Sequence, residues 1–198
     1  MIPRVAIPPV AIPPAARGPW RIETVEVPSG ISVGAMRLAM QGRWCPPGTY
    51  TRLVHAVRGT VMSDTPAEMA DHAMFVRVAR GHCLINGLGL GMCLSAILQK
   101  PEVTAVTVVE IDADVIALVG PHFTDSRVAI VHSAAMDFKP PRGIRYGAVW
   151  HDIWDTICTD NLPEMHALHR KYGRRAAWQG SWCRERCEQE RRSEQRYW

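Results

Sequence analysis

Seven residues in the middle of the chain, Ile85-Asn86-Gly87-Leu88-Gly89-Leu90-Gly91, follow one short apolar run and precede another. Glycines at every second position let a backbone turn tightly and approach a ligand closely, and where the next run begins a helix its first amides face that ligand. Glu110 closes a Val-rich run that starts at Ala105, 19 residues after Gly91. A carboxylate there can accept hydrogen bonds from both hydroxyls of a ribose. The GxGxG spacing departs from the GxGxxG of dinucleotide sites and points to a single nucleoside instead of a nicotinamide dinucleotide. The same residues also admit a plainer reading, a glycine turn beside a surface glutamate.

A second group of chemistry-bearing residues lies in Trp150-His151-Asp152-Ile153-Trp154-Asp155. It ends a predicted strand, and the carboxyl edge of a parallel sheet is where such folds hold reacting groups. Asp152 and Asp155 are the candidate catalytic residues, because a carboxylate there can hold a cationic amine or take its proton; the alternative is that they cap the next segment. Asp64, Glu68, His72 and His151 are the candidate substrate-binding residues. Of the remaining histidines, His55, His82, His122, His132, His166 and His169 read as element ends or solvated faces.

Leu84 to Gly91 together with Val108-Val109-Glu110-Ile111-Asp112 resembles the first two motifs of class I S-adenosylmethionine-dependent methyltransferases. Within that superfamily the stretch from Thr51 to Asp155 is similar to spermidine synthases, and Met62-Ser63-Asp64-Thr65-Pro66-Ala67-Glu68 resembles methyltransferase-like proteins of bacteriophages. The resemblance implies S-adenosylmethionine, or its decarboxylated form, as cofactor, held by Gly87, Leu88, Gly89, Gly91, Glu110, Ile111 and Asp137. It implies a transferase, a methyltransferase of unspecified acceptor. The alternatives are a spermidine synthase-like aminopropyltransferase, in which Asp152 and Asp155 handle the amine, and a non-catalytic binding or assembly module that keeps the fold. Three departures stand out. Ile85 replaces the acid many methyltransferases carry, Ala134-Ala135 replaces the adenine-side Asp, with Asp137 a little further on, and only a short, helical-looking stretch follows Trp154.

These residues need elements to position them. The alternation strand, glycine loop, helix, strand predicts an α/β fold: a Rossmann-like parallel sheet with helices on both faces. Strands are expected at Cys83 to Ile85, Ala105 to Glu110, Val128 to Val131 and Tyr146 to His151, with helices at Met92 to Gln99 and Ala113 to Val119. Ahead of them, Arg21 to Val27, Ile31 to Met40, Tyr50 to Val57 and Val61-Met62 read as a small antiparallel β region. A helix is expected from Ser63-Asp64, capped by one of them, with Pro66 in the first turn, to about Ala79. After Asn161 a helix places Leu162, Met165, Leu168 and Tyr172 on one face, and a basic, Trp-bearing segment follows Gly173. The usual sheet is expected to be truncated at its C-terminal part.

The expected organisation is therefore a Pro-rich arm over 1–19, the β region over 20–62, and the nucleoside-binding unit with a helical tail over 63–198. The arm repeats Val-Ala-Ile-Pro-Pro, which favours polyproline II, and reads as a loose tail or as a strap on a neighbouring subunit. With 198 residues, 47% hydrophobic and 21% charged, the chain has the composition of a folded globular protein. The net charge of +4 is concentrated after Lys171. Interleaved Glu185, Glu188, Glu190 and Glu194 make that tail a solvated helix face, with nucleic acid as its alternative partner. Six cysteines without a CxxC pair suit free thiols in a cytoplasmic setting; Cys183 and Cys187 could supply half a zinc site, but no second pair completes it, so no metal is expected. No apolar run is long enough to span a membrane. The expected partners are a small-molecule or peptide acceptor and a second copy of the chain.

Overall fold

The computed structural model describes residues 7, 9–30 and 43–195. The expected strand Ile31 to Met40, the beginning of the Pro-rich arm and Trp198 lie outside the described residues.

Alternating side chains build a four-stranded antiparallel sheet in the order β1 (Ala15–Arg17), β2 (Trp20–Val27), β3 (Gly48–His55) and β4 (Gly59–Ser63). Trp20 pairs with His55 and Val27 with Gly48, so β2 and β3 run side by side over their full length. A register shift between Leu53 and Val54 bends β3 against β4, and Gly59 turns the hairpin at φ +76°. Such a bulge re-aims side chains without breaking the ladder. Here it leaves Leu53 opposite Met62, on the rim of the site described below.

Helix α1 (Pro66–Val78) starts differently from the sequence expectation. Thr65 is its N-cap, with no side-chain capping bond, and neither Ser63 nor Asp64 caps. Asp64 is 2% exposed and accepts hydrogen bonds from the amides of Thr51, at 2.6 Å, and Val10, at 3.1 Å. Glu68 instead reaches back to the amide of Ser63 at 2.7 Å and its hydroxyl at 2.9 Å. The described part of the Pro-rich arm is not loose but packs on its own chain: Ile7, Val10 and Ile12 are buried in this chain's core with Trp20, Ile22, Leu53 and Phe75. Asp64 is therefore a staple for the arm, because its two oxygens join the buried Val10 amide to the Thr51 amide of β3 and satisfy both.

The second sheet is wholly parallel. Strand β5 (Gly81–Asn86) leads through the glycine loop into α2 (Met92–Leu98). Then come β6 (Val103–Glu110), α3 (Ala113–Val119), β7 (Val128–His132), β8 (Ala148–His151), α4 (Leu162–Tyr172), β9 (Gln179–Ser181) and α5 (Arg184–Glu194). The strand order is β7-β6-β5-β8-β9. The chain thus winds outward from β5 in one direction and then, from β8, in the other. This is the Rossmann-like arrangement, and its order reverses between β5 and β8. Both faces are covered: α1, α2, α3 and the small sheet share one core, and α4 packs Leu168 and Tyr172 on the other face with Leu84, Val109 and Val149.

Two expectations about the C-terminal segment change. The sheet does not stop at β8, because Gln179–Ser181 adds a fifth strand. Gly180 allows it: an added Cβ would collide with the Trp178 ring and stand 2.9 Å from Trp150. Trp178 stacks on Trp150 with ring centroids 6.3 Å apart, as expected for an aromatic needing cover. Only α5 is the solvated helix the tail composition implied, with Cys187 as its buried residue. Among the described residues no helix is long and apolar enough to cross a membrane.

The staple is expected to matter more than the ion pairs around it. Asp64→Ala should lower unfolding free energy by about 2–3 kcal/mol, since one buried and one part-buried amide lose their acceptor. Asp114→Ala, which breaks the exposed Arg17–Asp114 pair, should cost at most about 1 kcal/mol, its capping partner Asp112 being intact. Urea titrations of the two variants make the comparison; equal losses would remove the staple assignment.

Candidate functional site

The loops leaving β5, β6, β7 and β8 converge at the carboxyl edge of the parallel sheet, outside the β5–β8 reversal. Between them lies a pocket of about 350 Å³. Gly87, Gly89, Glu110, Ile111, Asp112, Ala134, Met136, Asp152 and Asp155 line it from the parallel sheet. Trp20, Leu53, Arg58 and Met62 line it from the small sheet, Glu68 and His72 from α1.

Glu110 is 8% exposed and holds two loops at once. One carboxylate oxygen accepts from the amide of Leu88 at 2.8 Å, the other from the amide of Asp112 at 2.9 Å. Each oxygen keeps a second lone pair for a ligand. Asp112 caps α3 through the amides of Asp114 and Val115 and also accepts from the Trp20 indole at 2.7 Å. Beyond Glu110, Ile111 and Met136 stand 67% and 43% exposed, apolar side chains on the pocket rim.

The glycine loop is less open than its sequence implied. The Gly87 amide bonds to Val109 O and the Gly91 amide to Leu88 O, both at 2.8 Å. The Leu90 amide bonds to the Met62 sulfur at 3.2 Å. The glycines themselves answer to protein neighbours: an added Cβ would strike the Asp152 carbonyl at Gly87, the Phe123 ring at Gly91 and the Met62 sulfur at Gly89. All three have positive φ, where side chains are strained in any case.

At the other end of the pocket Asp152 sits beneath α1, with His72 Nδ1 3.8 Å from its Oδ2. His72 is 1% exposed, neither ring nitrogen has a hydrogen-bond partner, and its ring meets Trp150 edge-on at 5.8 Å. Burial, reinforced by the negative charge of Glu68, pushes the Asp152 carboxyl up to about 8. Burial holds the His72 imidazole down at about 4. Near neutral pH both groups are uncharged. Glu68 is also raised by burial, while Asp71 pairs with Arg43 at 2.8 Å. Asp155 is half-buried and pairs with Arg58 at 3.2 Å, the guanidinium lying 4.8 Å from the Trp20 ring.

The candidate residues therefore separate. Gly87, Gly89, Glu110, Ile111, Glu68, His72, Asp152 and Asp155 meet in one pocket. Leu88 and Gly91 shape the loop from behind, and Asp64 is the arm's staple. Asp137 is exposed and outside the lining, because the turn after β7 directs Ala134 and Met136 inward instead. His151 points through the opposite face of the sheet, where it meets Asn86 Nδ2 at 2.7 Å and packs on Tyr172; strand alternation sends it away from Asp152. Sequence reasoning missed Met62, Trp20, Arg58, Asp112, Glu164 and Trp182. Met62 and Asp112 lie inside the two family-like runs of the sequence, without a role assigned to them there.

The lining is strongly acidic. Glu68, Glu110, Asp112, Asp152, Asp155 and Glu164 face it, against the single guanidinium of Arg58. Such a pocket favours a cationic ligand and repels a pyrophosphate.

The sequence matches no family model and no curated protein. Among solved structures, a candidate methyltransferase from Thermoplasma acidophilum superposes at TM-score 0.38 with 24% identity, over 47% of this chain and 40% of that one. The N-methyltransferase NodS from Bradyrhizobium japonicum WM9 does so at 0.46 with 14% identity, over 58% and 65%. A dimethyladenosine transferase from Plasmodium falciparum gives 0.37 with 15% identity, over 46% and 32%. The chain thus spans less than two thirds of the length of each of these structures.

The buried pair makes stability depend on pH in two opposite ways. Asp152 keeps its proton in the fold up to about pH 8 but only to about 4 when unfolded, so stability falls as pH rises through that window. His72 is neutral in the fold but protonated in the unfolded chain below about 6.5, so its contribution rises with pH up to there. Between about pH 6.5 and 8 Asp152 acts alone, and unfolding free energy should fall by up to roughly 2 kcal/mol. Asp152→Asn should abolish that decline in urea titrations. A decline that survives the substitution would assign it to another group.

Proposed function

We propose that the chain is an S-adenosylmethionine-dependent methyltransferase acting on a small molecule or a peptide-borne group. The observation that carries this reading is Glu110: a buried carboxylate, clamped by the two loops that end β5 and β6, at the head of an acidic pocket with an apolar rim. Ribose hydroxyls fit the free lone pairs of Glu110, and Ile111 and Met136 offer the apolar walls that a purine face requires. The excess of carboxylates suits a sulfonium cation and opposes a nicotinamide dinucleotide. The protein residues fit the group, with Met62 lying over the loop beside it.

The donor, when bound, supplies a methyl group on a positively charged sulfur. What the chain supplies is a buried pair of side chains at the inner end of the pocket. His72 and Asp152 present one imidazole lone pair and one carboxyl within reach of an acceptor; an ammonium arriving there would pass its proton to the free imidazole nitrogen of His72, which leaves the acceptor nitrogen with its lone pair. Asp155, tied to Arg58, borders the entrance where the acceptor comes in. Glu68 holds α1, and so His72, in place through Ser63.

The reading is tested with 5′-deoxy-5′-methylthioadenosine and S-adenosylhomocysteine, which share a nucleoside and a thioether. At 100 times its dissociation constant either should add roughly 2.7 kcal/mol to stability, a rise of about 5–10 °C in Tm for a protein of this size. Glu110→Gln, which keeps the shape and loses one acceptor, should weaken binding about tenfold. NAD at the same concentration should leave the melting curve in place. If neither nucleoside moves it at millimolar concentration, the assignment fails.

A further inference from the structure

Met62 comes from the small sheet, yet its side chain is seated in the loop of the large one. The strand is held on both sides of it: Met62 pairs with Leu53, and the neighbouring Ser63 is bound by Glu68 through amide and hydroxyl. From that position the thioether covers Gly89 so closely that no Cβ would fit, and its sulfur accepts the Leu90 amide at 3.2 Å. A thioether sulfur is a weak acceptor, so this bond is the easiest of the loop's contacts to exchange for a stronger one.

The bond decides what the loop can offer. The Gly87, Leu88 and Gly91 amides are engaged by Val109 O, Glu110 and Leu88 O. Arg58, the guanidinium of the lining, is paired with Asp155. A ligand carboxylate at this end of the pocket thus meets a loop whose Leu90 donor is already taken, and several carboxylates of like charge. A nucleoside that ends in a short thioether makes no such demand, because Glu110 and the apolar rim suffice for it.

We propose that Met62 is a specificity gate: its thioether occupies the space of a donor's amino-acid tail, so the resting pocket admits the nucleoside thioether alone and accepts a carboxylate-bearing tail only once Met62 has left Leu90. The inference rests on the nucleoside reading above and adds to it which part of the ligand the chain itself competes with. Displacement exchanges a weak sulfur acceptor for a charged one, and the position of Met62 then reports which ligand is bound.

Calorimetry with S-adenosylhomocysteine, which has the carboxylate tail, and 5′-deoxy-5′-methylthioadenosine, which lacks it, tests the gate in the full-length protein. The wild type should bind the tail-less compound more tightly. Met62→Ala should raise affinity for S-adenosylhomocysteine about fivefold, while leaving the tail-less compound within about twofold. Because Met62 also touches the core, a second measurement uses the wild type itself. In protein carrying 13C-methyl methionine, the Met62 resonance, identified by its loss in Met62→Leu, should move to a solvent-exposed position with S-adenosylhomocysteine and keep its place with the tail-less compound. Equal gains for both ligands in Met62→Ala, no gain for either, or a Met62 methyl that stays put in the S-adenosylhomocysteine complex would overturn the gate and leave the nucleoside reading standing. Failure of both ligands to bind either protein would overturn that reading and the gate with it.

Discussion

The close approach of two loops at the reversal of the parallel sheet is the constraint on which the site depends. The Asp152 amide bonds to Asn86 O at 2.8 Å, extending the β5–β8 pairing by one rung, and the Asp152 carbonyl then occupies the space where any side chain at position 87 would begin. Gly87 is thus a requirement of chain against chain. Because this contact is met, Asp152 is drawn beneath α1 and the loop that follows β5 is turned toward Glu110. Loosening it would separate the Asp152 end of the pocket from the Glu110 end.

A second layer of positioning comes from the small sheet, which acts as a wall of the pocket and not as an appendage. Trp20 donates to Asp112 and stacks under Arg58; Arg58 reaches Asp155; Met62 reaches Leu90. The bonds to Asp112, Asp155 and Leu90 each join a residue of the small sheet to a loop of the parallel sheet. The arm contributes as well, through Ile7, Val10 and Ile12 in the shared core and through Asp64. In a chain of this size the fraction of surface buried on folding is limited. Packing two sheets and an arm around one core is one way to enlarge it.

The electrostatic character follows from that enclosure. Burial disfavours the charged form of both groups, with the charge of Glu68 adding to it at Asp152, so Asp152 retains its proton to about pH 8 and His72 stays neutral down to about 4. The His72–Asp152 pair at the inner end of the pocket is therefore uncharged near neutrality, whereas the mouth, with Glu164 and the Arg58–Asp155 pair, is charged. Such a gradient suits a ligand whose cationic centre lies between an apolar ring and a reacting group.

Much of this was legible in the residues alone. The strand–loop–helix alternation and the Leu162-Met165-Leu168-Tyr172 face are local patterns, set by periodicity, and they appear where the sequence put them. The meeting of Glu110, the glycine loop and Asp152 was also foreseeable, because strand ends in a parallel sheet share one edge. What no local pattern carried were facts about partners far apart in the chain. The fifth strand has no apolar run and exists because Trp150 and Trp178 leave room for Gly180. Asp64 serves an arm 54 residues away, His151 faces the wrong side for a site residue, and Met62 covers a loop 28 residues on. Sequence spacing determines what an element can be and which face it offers; only tertiary packing decides which distant group takes each donor, and in this protein that choice sets which groups line the pocket.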